Sequence, residues 1–337
     1  MRFTDTTQLD DFMTSPSAEL IQELAGVDGD LMILGVGGKM GPTLAGMARR
    51  AAPDKRVIGV ARFSEMGLRE RLEARGIECL TCDLLDRFAV ERLPHVRNIV
   101  FMAGYKFGAT DNSAYTWATN VGVPYLVADV FRESRIVAFS TACVYPFVDV
   151  HGAGAKEDMV TRPPPGDYAA SCVGREQMFL FGSMHYRTPG RLLRLSYAID
   201  LRYGVLHDVA TSVLGGLPVN VTTGHVNVIW QGDANERALR LLAHCTSPTT
   251  PLNVSGPEKV SVRWLAEQFG QRFGKIPRLI GEEAENAWLV DTAASQRLFG
   301  RPRISLDVMI DWVADWVACG RASLGKKTHF ETRDGNF

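Results

Sequence analysis

The stretch LMILGVGGKMG (residues 31–41) constrains the fold of this 337-residue chain more than any other. Its apolar opening, 31–38, reads as a buried strand running into a turn, the kind a parallel sheet covers on both faces. The PTLAGMARRAA that follows reads as a helix. Gly35, Gly38 and Gly41 stand at GxxGxxG spacing between that strand and that helix, the context in which such a turn cradles phosphate. One glycine makes the tight turn, one lets backbone N–H groups approach a pyrophosphate, and one lets helix and strand pack closely, with phosphate at the helix N-terminus. Lys39 and Met40 belong to the same expected dinucleotide site.

The next apolar run, RVIGVAR (56–62), ends in Ala61 and Arg62. A carboxylate there would bind the ribose 2′-OH of NAD. Arg62 suits a 2′-phosphate instead, so NADP is the expected cofactor and NAD the alternative, with Lys39 adding charge nearby. Further strands are expected at 77–84, 97–104, 135–141 and 191–199, and helices at 42–52, 65–76, 111–132 and 167–183. Strands alternating with crossovers of this length demand right-handed βαβ units, hence a doubly wound parallel α/β sheet with helices on both faces. Ser15 and Pro16 read as the N-cap and first residue of an N-terminal helix that stops at Gly26. The expected organisation is a helical extension over 1–30, a nucleotide-binding domain over 31–200, a mostly substrate-binding lid over 201–322 and a tail over 323–337. In the lid, a short strand at 251–256 and helices at 261–274 and 306–320 are expected; the polar tail either stays loose or folds back.

Composition narrows the partners. Lys and Arg total 37 against 38 Asp and Glu, a net charge of -1. That balance carries no electrostatic footprint for nucleic acid or an anionic membrane. No apolar run approaches the ~18 residues that span a bilayer. Six cysteines make no disulfide framework, and the CxxC of Cys79 and Cys82 lies in an expected strand without a second pair, so no metal is expected. These features suggest a cytoplasmic enzyme acting on a small molecule.

From residue 31 to 320 the chain resembles the extended short-chain dehydrogenase/reductases, the NAD-dependent epimerase/dehydratase family, a Rossmann-type fold. The resemblance rests on the order of several segments. After the glycine turn come Asp83 and Leu84, placed like the pair that contacts adenine. Met102, Ala103, Gly104, Tyr105 and Lys106 are similar to the segment flanking the cofactor, and Asn120 to the family's helix asparagine. FSTACVY (139–145) puts Thr141 in the place of the catalytic Ser/Thr, and YAASC (168–172) falls where the family has YxxxK. LVDTAASQRLFG and ISLDVMIDW resemble its C-terminal stretch. The resemblance implies hydride transfer at a carbinol carbon of a sugar-like molecule: Tyr168 as acid/base, Thr141 holding the substrate oxygen, and Ala103, Gly104, Lys106 and Tyr168 beside the cofactor. It also implies a homodimer through the helices at 111–132 and 167–183, where Tyr115 and Phe179 would suit the interface or equally a monomer core.

One departure matters for mechanism. Position 172 is Cys, one helical turn after Tyr168 and on its face. The usual lysine there lowers the tyrosine pKa, and a thiol supplies no fixed positive charge. Lys106 or Arg175 could fill that role; Cys172 could itself act as a thiolate; or catalysis could be lost, leaving an NADP(H)-binding sensor or scaffold. On the substrate side, Tyr197 stands where nucleotide-sugar members carry Asn, and Val226, with Asn227 beside it, where they carry a diphosphate-binding Arg. Tyr197 and Asn227 are the expected substrate contacts, and a polyol, sugar acid or free sugar is favoured over a nucleotide sugar.

Overall fold

The computed structural model describes residues 2–333. Seven strands form the central sheet: β1 (Leu31–Leu34), β2 (Val57–Ala61), β3 (Glu78–Thr81), β4 (Asn98–Phe101), β5 (Arg135–Thr141), β6 (Gly190–Leu195) and β7 (Thr250–Val254). Their spatial order is β7-β6-β5-β4-β1-β2-β3, and every neighbouring pair is parallel. This is the doubly wound Rossmann-type sheet that the alternation demanded. Side chains alternate across it. Leu31 and Ile33 pack with helices Ala18–Gly26, Gly41–Ala51 and Gln231–Arg240 on one face; Met32 and Leu34 pack with Val123–Val130 and Phe179 on the other. Chain order reverses between β1 and β4, so a crevice opens at the carboxyl ends of those strands.

Several boundaries differ from expectation for identifiable reasons. The helix Ala18–Gly26 is capped by Ser17, not Ser15: the Ser17 hydroxyl accepts the Leu20 N–H and donates to the buried carboxylate of Glu236. An earlier helix, Thr6–Met13, begins at Asp5, whose carboxylate accepts the Gln8 N–H. The helix expected over 111–132 is broken into Ser113–Trp117, a π-turn at Ala118–Gly122, and Val123–Val130. Pro124 has no N–H to give the residue 120 carbonyl, and the Val123 N–H reaches back five residues to the Ala118 carbonyl instead. The strand expected over 191–199 ends at Leu195; Tyr197 takes φ 28°, and Ala198–Ile199 pairs separately with Ile229–Trp230.

A second apolar core holds Val205–Leu214, Val262–Phe273 and Leu306–Ala318 together with Phe3, Leu9 and Met13 from the N-terminus. Trp312 and Trp316 of the last helix lie in it. Two pieces of the 201–322 stretch belong to the main sheet rather than to this core. β7 pairs with β6 in register from Thr250↔Arg191 to Val254↔Leu195, and Gln231–Arg240 is buried between the sheet and the N-terminal helix pair. The tail folds back: Thr328 donates its N–H and hydroxyl to Asp208 at 2.8 and 2.6 Å, and Phe330 enters the second core. Residues 334–337 of the expected tail lie outside the described residues. Among the described residues, no helix is long and apolar enough to cross a membrane, and no cluster of three or more His, Cys, Asp or Glu is arranged to hold a metal.

Candidate functional site

The glycine turn brings β1 hard against the exit of β4. Gly35 has φ +92°, and a Cβ there would lie 2.6 Å from the Ala103 nitrogen. A Cβ on Gly41 would lie 2.2 Å from the Val36 carbonyl oxygen, so the helix can start this close to the turn only with glycine. Helix Gly41–Ala51 has no side-chain cap at its N-terminus: the Gly41 N–H donates to the Gly38 carbonyl within the turn, and Pro42 has no N–H. Above this turn is a cavity of about 260 Å³ lined by Gly35, Gly38, Arg62, Asp83, Leu84 and the segment from Met102 to Tyr105. The Arg62 guanidinium donates to the Tyr115 hydroxyl at 3.2 Å, and the Asp83 carboxylate accepts the Leu85 N–H. A side-chain-free cradle, an uncapped helix end and an arginine beyond β2 fit a dinucleotide.

A second cavity, of about 230 Å³, lies on the other side of that segment, at the ends of β5 and β6. Thr141, Tyr168, Lys106 and Tyr197 line it, together with Met40. The Thr141 Oγ1 accepts the Cys143 N–H at 3.2 Å and keeps its own proton to donate. The Lys106 ammonium sits 5.6 Å from the centre of the Tyr168 ring, and burial lowers its pKa. Burial first, then the neighbouring Cys172 and Cys143 thiols, hold the Tyr168 phenol well above its usual pKa, with Arg175 pulling against them.

A buried brace sits behind Tyr168. Asn120, inside the π-turn, accepts the Tyr105 N–H and donates to the Tyr105 carbonyl and the Ser171 hydroxyl. Arg175, on the same helix as Tyr168 (Asp167–Tyr186), donates to Asn120 at 2.8 Å and to the Phe139 carbonyl at 3.0 Å. A Cβ on Gly104 would lie 2.5 Å from its guanidinium. Arg175 therefore brings a buried positive charge beneath the loop that carries Lys106. The adjacent Glu176 is taken by Arg194 and Ser140.

The structure moves several expected residues. Lys39 is not beside Arg62: the turn sends it into the second cavity, where its ammonium meets the Ala198 carbonyl and the Tyr203 ring. Asn120 is wholly buried and acts as a brace on the cofactor-flanking loop. Asn227 does not face either cavity; its amide donates to the Glu258 carbonyl and accepts the Val290 N–H, so both ends are used holding lid loops. Cys172 is wholly buried, hydrogen-bonds Tyr168, and has its thiol pKa pushed up to about 11 by burial, so it stays a neutral thiol rather than a thiolate. Phe179 is core, packed edge-on to Phe101, and Tyr115 lines the first cavity against Tyr105. Sequence reasoning missed Cys143, Tyr203, Trp288 and Thr328, all of which line the second cavity. Cys143 was findable, two residues after Thr141. Trp288 and Thr328 come from distant segments, and Tyr203, six residues after Tyr197, carries no local signal.

Sheet order, glycine turn and a Tyr–Thr pair at the strand ends define a dinucleotide-binding α/β protein with a catalytic-type cavity. Comparison with known proteins agrees. A sequence model of the NAD dependent epimerase/dehydratase family matches residues 31–199. The chain belongs to that family, whose enzymes work with a nicotinamide cofactor. No curated protein sequence matches the chain. Among solved structures, Pal from Bacillus thuringiensis is similar at TM-score 0.73 and 15% identity, covering 87% of this chain and 100% of that one. The UDP-glucose 4-epimerase of Thermus thermophilus in complex with NAD is similar at 0.70 and 20%, covering 85% and 98%. The dTDP-glucose 4,6-dehydratase of Streptomyces venezuelae with NAD bound is similar at 0.71 and 20%, covering 86% and 97%.

Proposed function

We propose that the protein is an NADP-linked oxidoreductase or epimerase acting on a hydroxyl or keto carbon of a small sugar-like molecule. The observation that carries this reading is the placement of Tyr168 and Thr141 in one cavity with Lys106, which directly follows the Met102–Tyr105 segment lining the glycine-turn cavity. A nicotinamide cofactor, when bound, would supply hydride exchange at the carbinol carbon. Gly35, Gly38, Met40 and Gly41 shape its phosphate cradle, Asp83 and Leu84 flank its adenine, and Arg62 favours a 2′-phosphate over a bare 2′-OH. Thr141 donates its hydroxyl proton to the substrate oxygen. Tyr168 exchanges the proton of that oxygen with its own phenol oxygen.

The raised Tyr168 pKa sets the direction that the resting site favours: the phenol is protonated at neutral pH and poised to give its proton to a developing alkoxide. Arg175 lowers the phenol pKa against burial but does not return it to its usual value, so the site keeps an acid. A small sugar-like substrate is favoured over a nucleotide sugar because Tyr197 and Val226 stand where nucleotide-sugar members carry Asn and a diphosphate-binding Arg. Tyr168→Phe tests the mechanism. It is expected to abolish turnover of any substrate found in a sugar and sugar-acid screen while NADPH binding, followed by its fluorescence, is unchanged. Undiminished turnover overturns it.

A further inference from the structure

The second cavity has an unexpected charge. Lys39 enters it from the glycine turn and Lys106 from the loop after β4, and among the described residues no carboxylate lines it. The acids nearest Lys39 are occupied elsewhere. Asp200 holds Arg202 through two hydrogen bonds of 2.9 and 2.7 Å, and Asp208 accepts both donors of Thr328. What meets the Lys39 ammonium is one carbonyl, that of Ala198 at 3.3 Å, and the face of Tyr203 at 4.1 Å. Tyr197, held at φ 28°, starts the turn that aims the Ala198 carbonyl there. Thr328, from the folded-back tail, completes the wall. Two ammonium groups that line one small space open to solvent repel each other, and an anion between them relieves that repulsion.

We propose that Lys39 is the anion-binding end of this cavity and selects a substrate bearing a carboxylate, a small hydroxy or keto sugar acid. The proposal rests on the hydride-transfer reading and adds the substrate class to it. Lys39 reads the carboxylate, while Tyr168 and Thr141 read the carbon to be oxidised or reduced. A neutral sugar displaces water from the exposed Lys39 ammonium and offers no counter-charge in its place, which is how a charged site rejects an uncharged analogue.

The test uses the full-length protein saturated with NADPH. Lys39 is acylated with a limiting amine reagent and followed by peptide mass spectrometry, with exposed Lys275 as the internal control. D-glucuronate, D-galacturonate and D-gluconate are each compared with the matching neutral sugar or polyol. At least one acid is expected to protect Lys39 about tenfold more effectively than its neutral partner, a difference of about 1.4 kcal/mol. By calorimetry, Lys39→Met is expected to lose that preference, Lys39→Arg to keep it, and NADPH affinity to be the same in all three proteins. Equal protection by acids and neutral sugars overturns the proposal. So does a Lys39→Met protein that binds NADPH more weakly but still prefers the acid, because Lys39 would then serve the cofactor phosphates. Tyr168→Phe is assayed alongside: turnover in that variant defeats the hydride-transfer reading, whereas the protection pattern bears only on Lys39.

Discussion

Cys172→Lys restores a cation at the position one turn after Tyr168, and its effect can be worked out beforehand. Residues four apart on a helix have Cβ atoms about 5–6 Å apart. A unit charge about 6 Å from the phenolate oxygen, at an effective dielectric of about 20, contributes about 2.8 kcal/mol, or about 2 pKa units. The substitution also removes the thiol that helps to hold the phenol up. The Tyr168 pKa should therefore fall by about 2 units or more from its raised position. The lysine must fit among Ala142, Val144, Tyr145 and Val290, and overpacking there costs about 1–3 kcal/mol. The assay is a pH titration of tyrosine labelled with ¹³C at Cζ, with Tyr168→Phe identifying the resonance and circular dichroism confirming the fold at each pH. In the unsubstituted protein the resonance should stay in the phenol position up to about pH 10.5, beyond the ordinary tyrosine value of about 10. In Cys172→Lys its titration should begin at lower pH than in the unsubstituted protein. A Tyr168 that titrates at that ordinary value in the unsubstituted protein, or one that does not move in a folded Cys172→Lys, refutes the electrostatic account.

Arg62→Ala should weaken NADPH by about tenfold or more and leave NADH unchanged, because one charge-assisted phosphate contact contributes about 1.5–3 kcal/mol; equal losses for both cofactors in a binding titration would reject the 2′-phosphate role. Trp117, Tyr125, Phe181 and Met184 stand exposed on the helices from Ser113 to Val130 and Asp167 to Tyr186, and Phe181 stacks on His185. An apolar patch of this kind supports a homodimer through these helices, and Phe181→Asp should convert a dimer to a monomer in light scattering. A monomeric unsubstituted protein would defeat that expectation. Asp233 is buried, and burial raises its pKa from 3.8 to about 6. Below pH 3.8 both folded and unfolded forms are protonated. Between 3.8 and 6 only the unfolded form ionises, so stability contributed by the neutral carboxyl is lost as pH rises, by up to about 3 kcal/mol. The stability of Asp233→Asn relative to the unsubstituted protein should therefore grow from about pH 4 to about pH 6 and level off above. A gap independent of pH, in urea melts, would show that Asp233 ionises normally.

The electrostatics around Tyr168 follow from a buried cysteine, not a cation, standing one turn after it. The brace of Arg175, Asn120 and Ser171 ties the Tyr168 helix to the loop carrying Tyr105 and Lys106. Its charge acts on the phenol from within the helix layer instead of from the cavity wall. That arrangement keeps the phenol as an acid and leaves the cavity floor to neutral thiols, Cys143 at the surface and Cys172 beneath it.

The central sheet was legible in the sequence because its signals are local. Buried parallel strands are continuous apolar runs, a phosphate turn demands glycines at fixed spacing, and Pro and Gly mark the breaks. Thr141, Tyr168 and Tyr197 could be placed because each lies at or just past the end of a strand or at the start of a helix that the pattern locates. Side-chain direction was not legible. Lys39 shares the glycine turn with Gly38 yet faces the opposite cavity from Arg62, and only the path of the turn decides that. Asn227 read as a substrate contact, but both ends of its amide are consumed by Glu258 and Val290, residues that meet it only when the lid loops pack. Thr328 and Trp288 reach the cavity from more than a hundred residues beyond Tyr168. Short-range periodicity specifies which elements form; which charge faces which cavity follows from long-range packing, where no residue's neighbours can be read from its position in the chain.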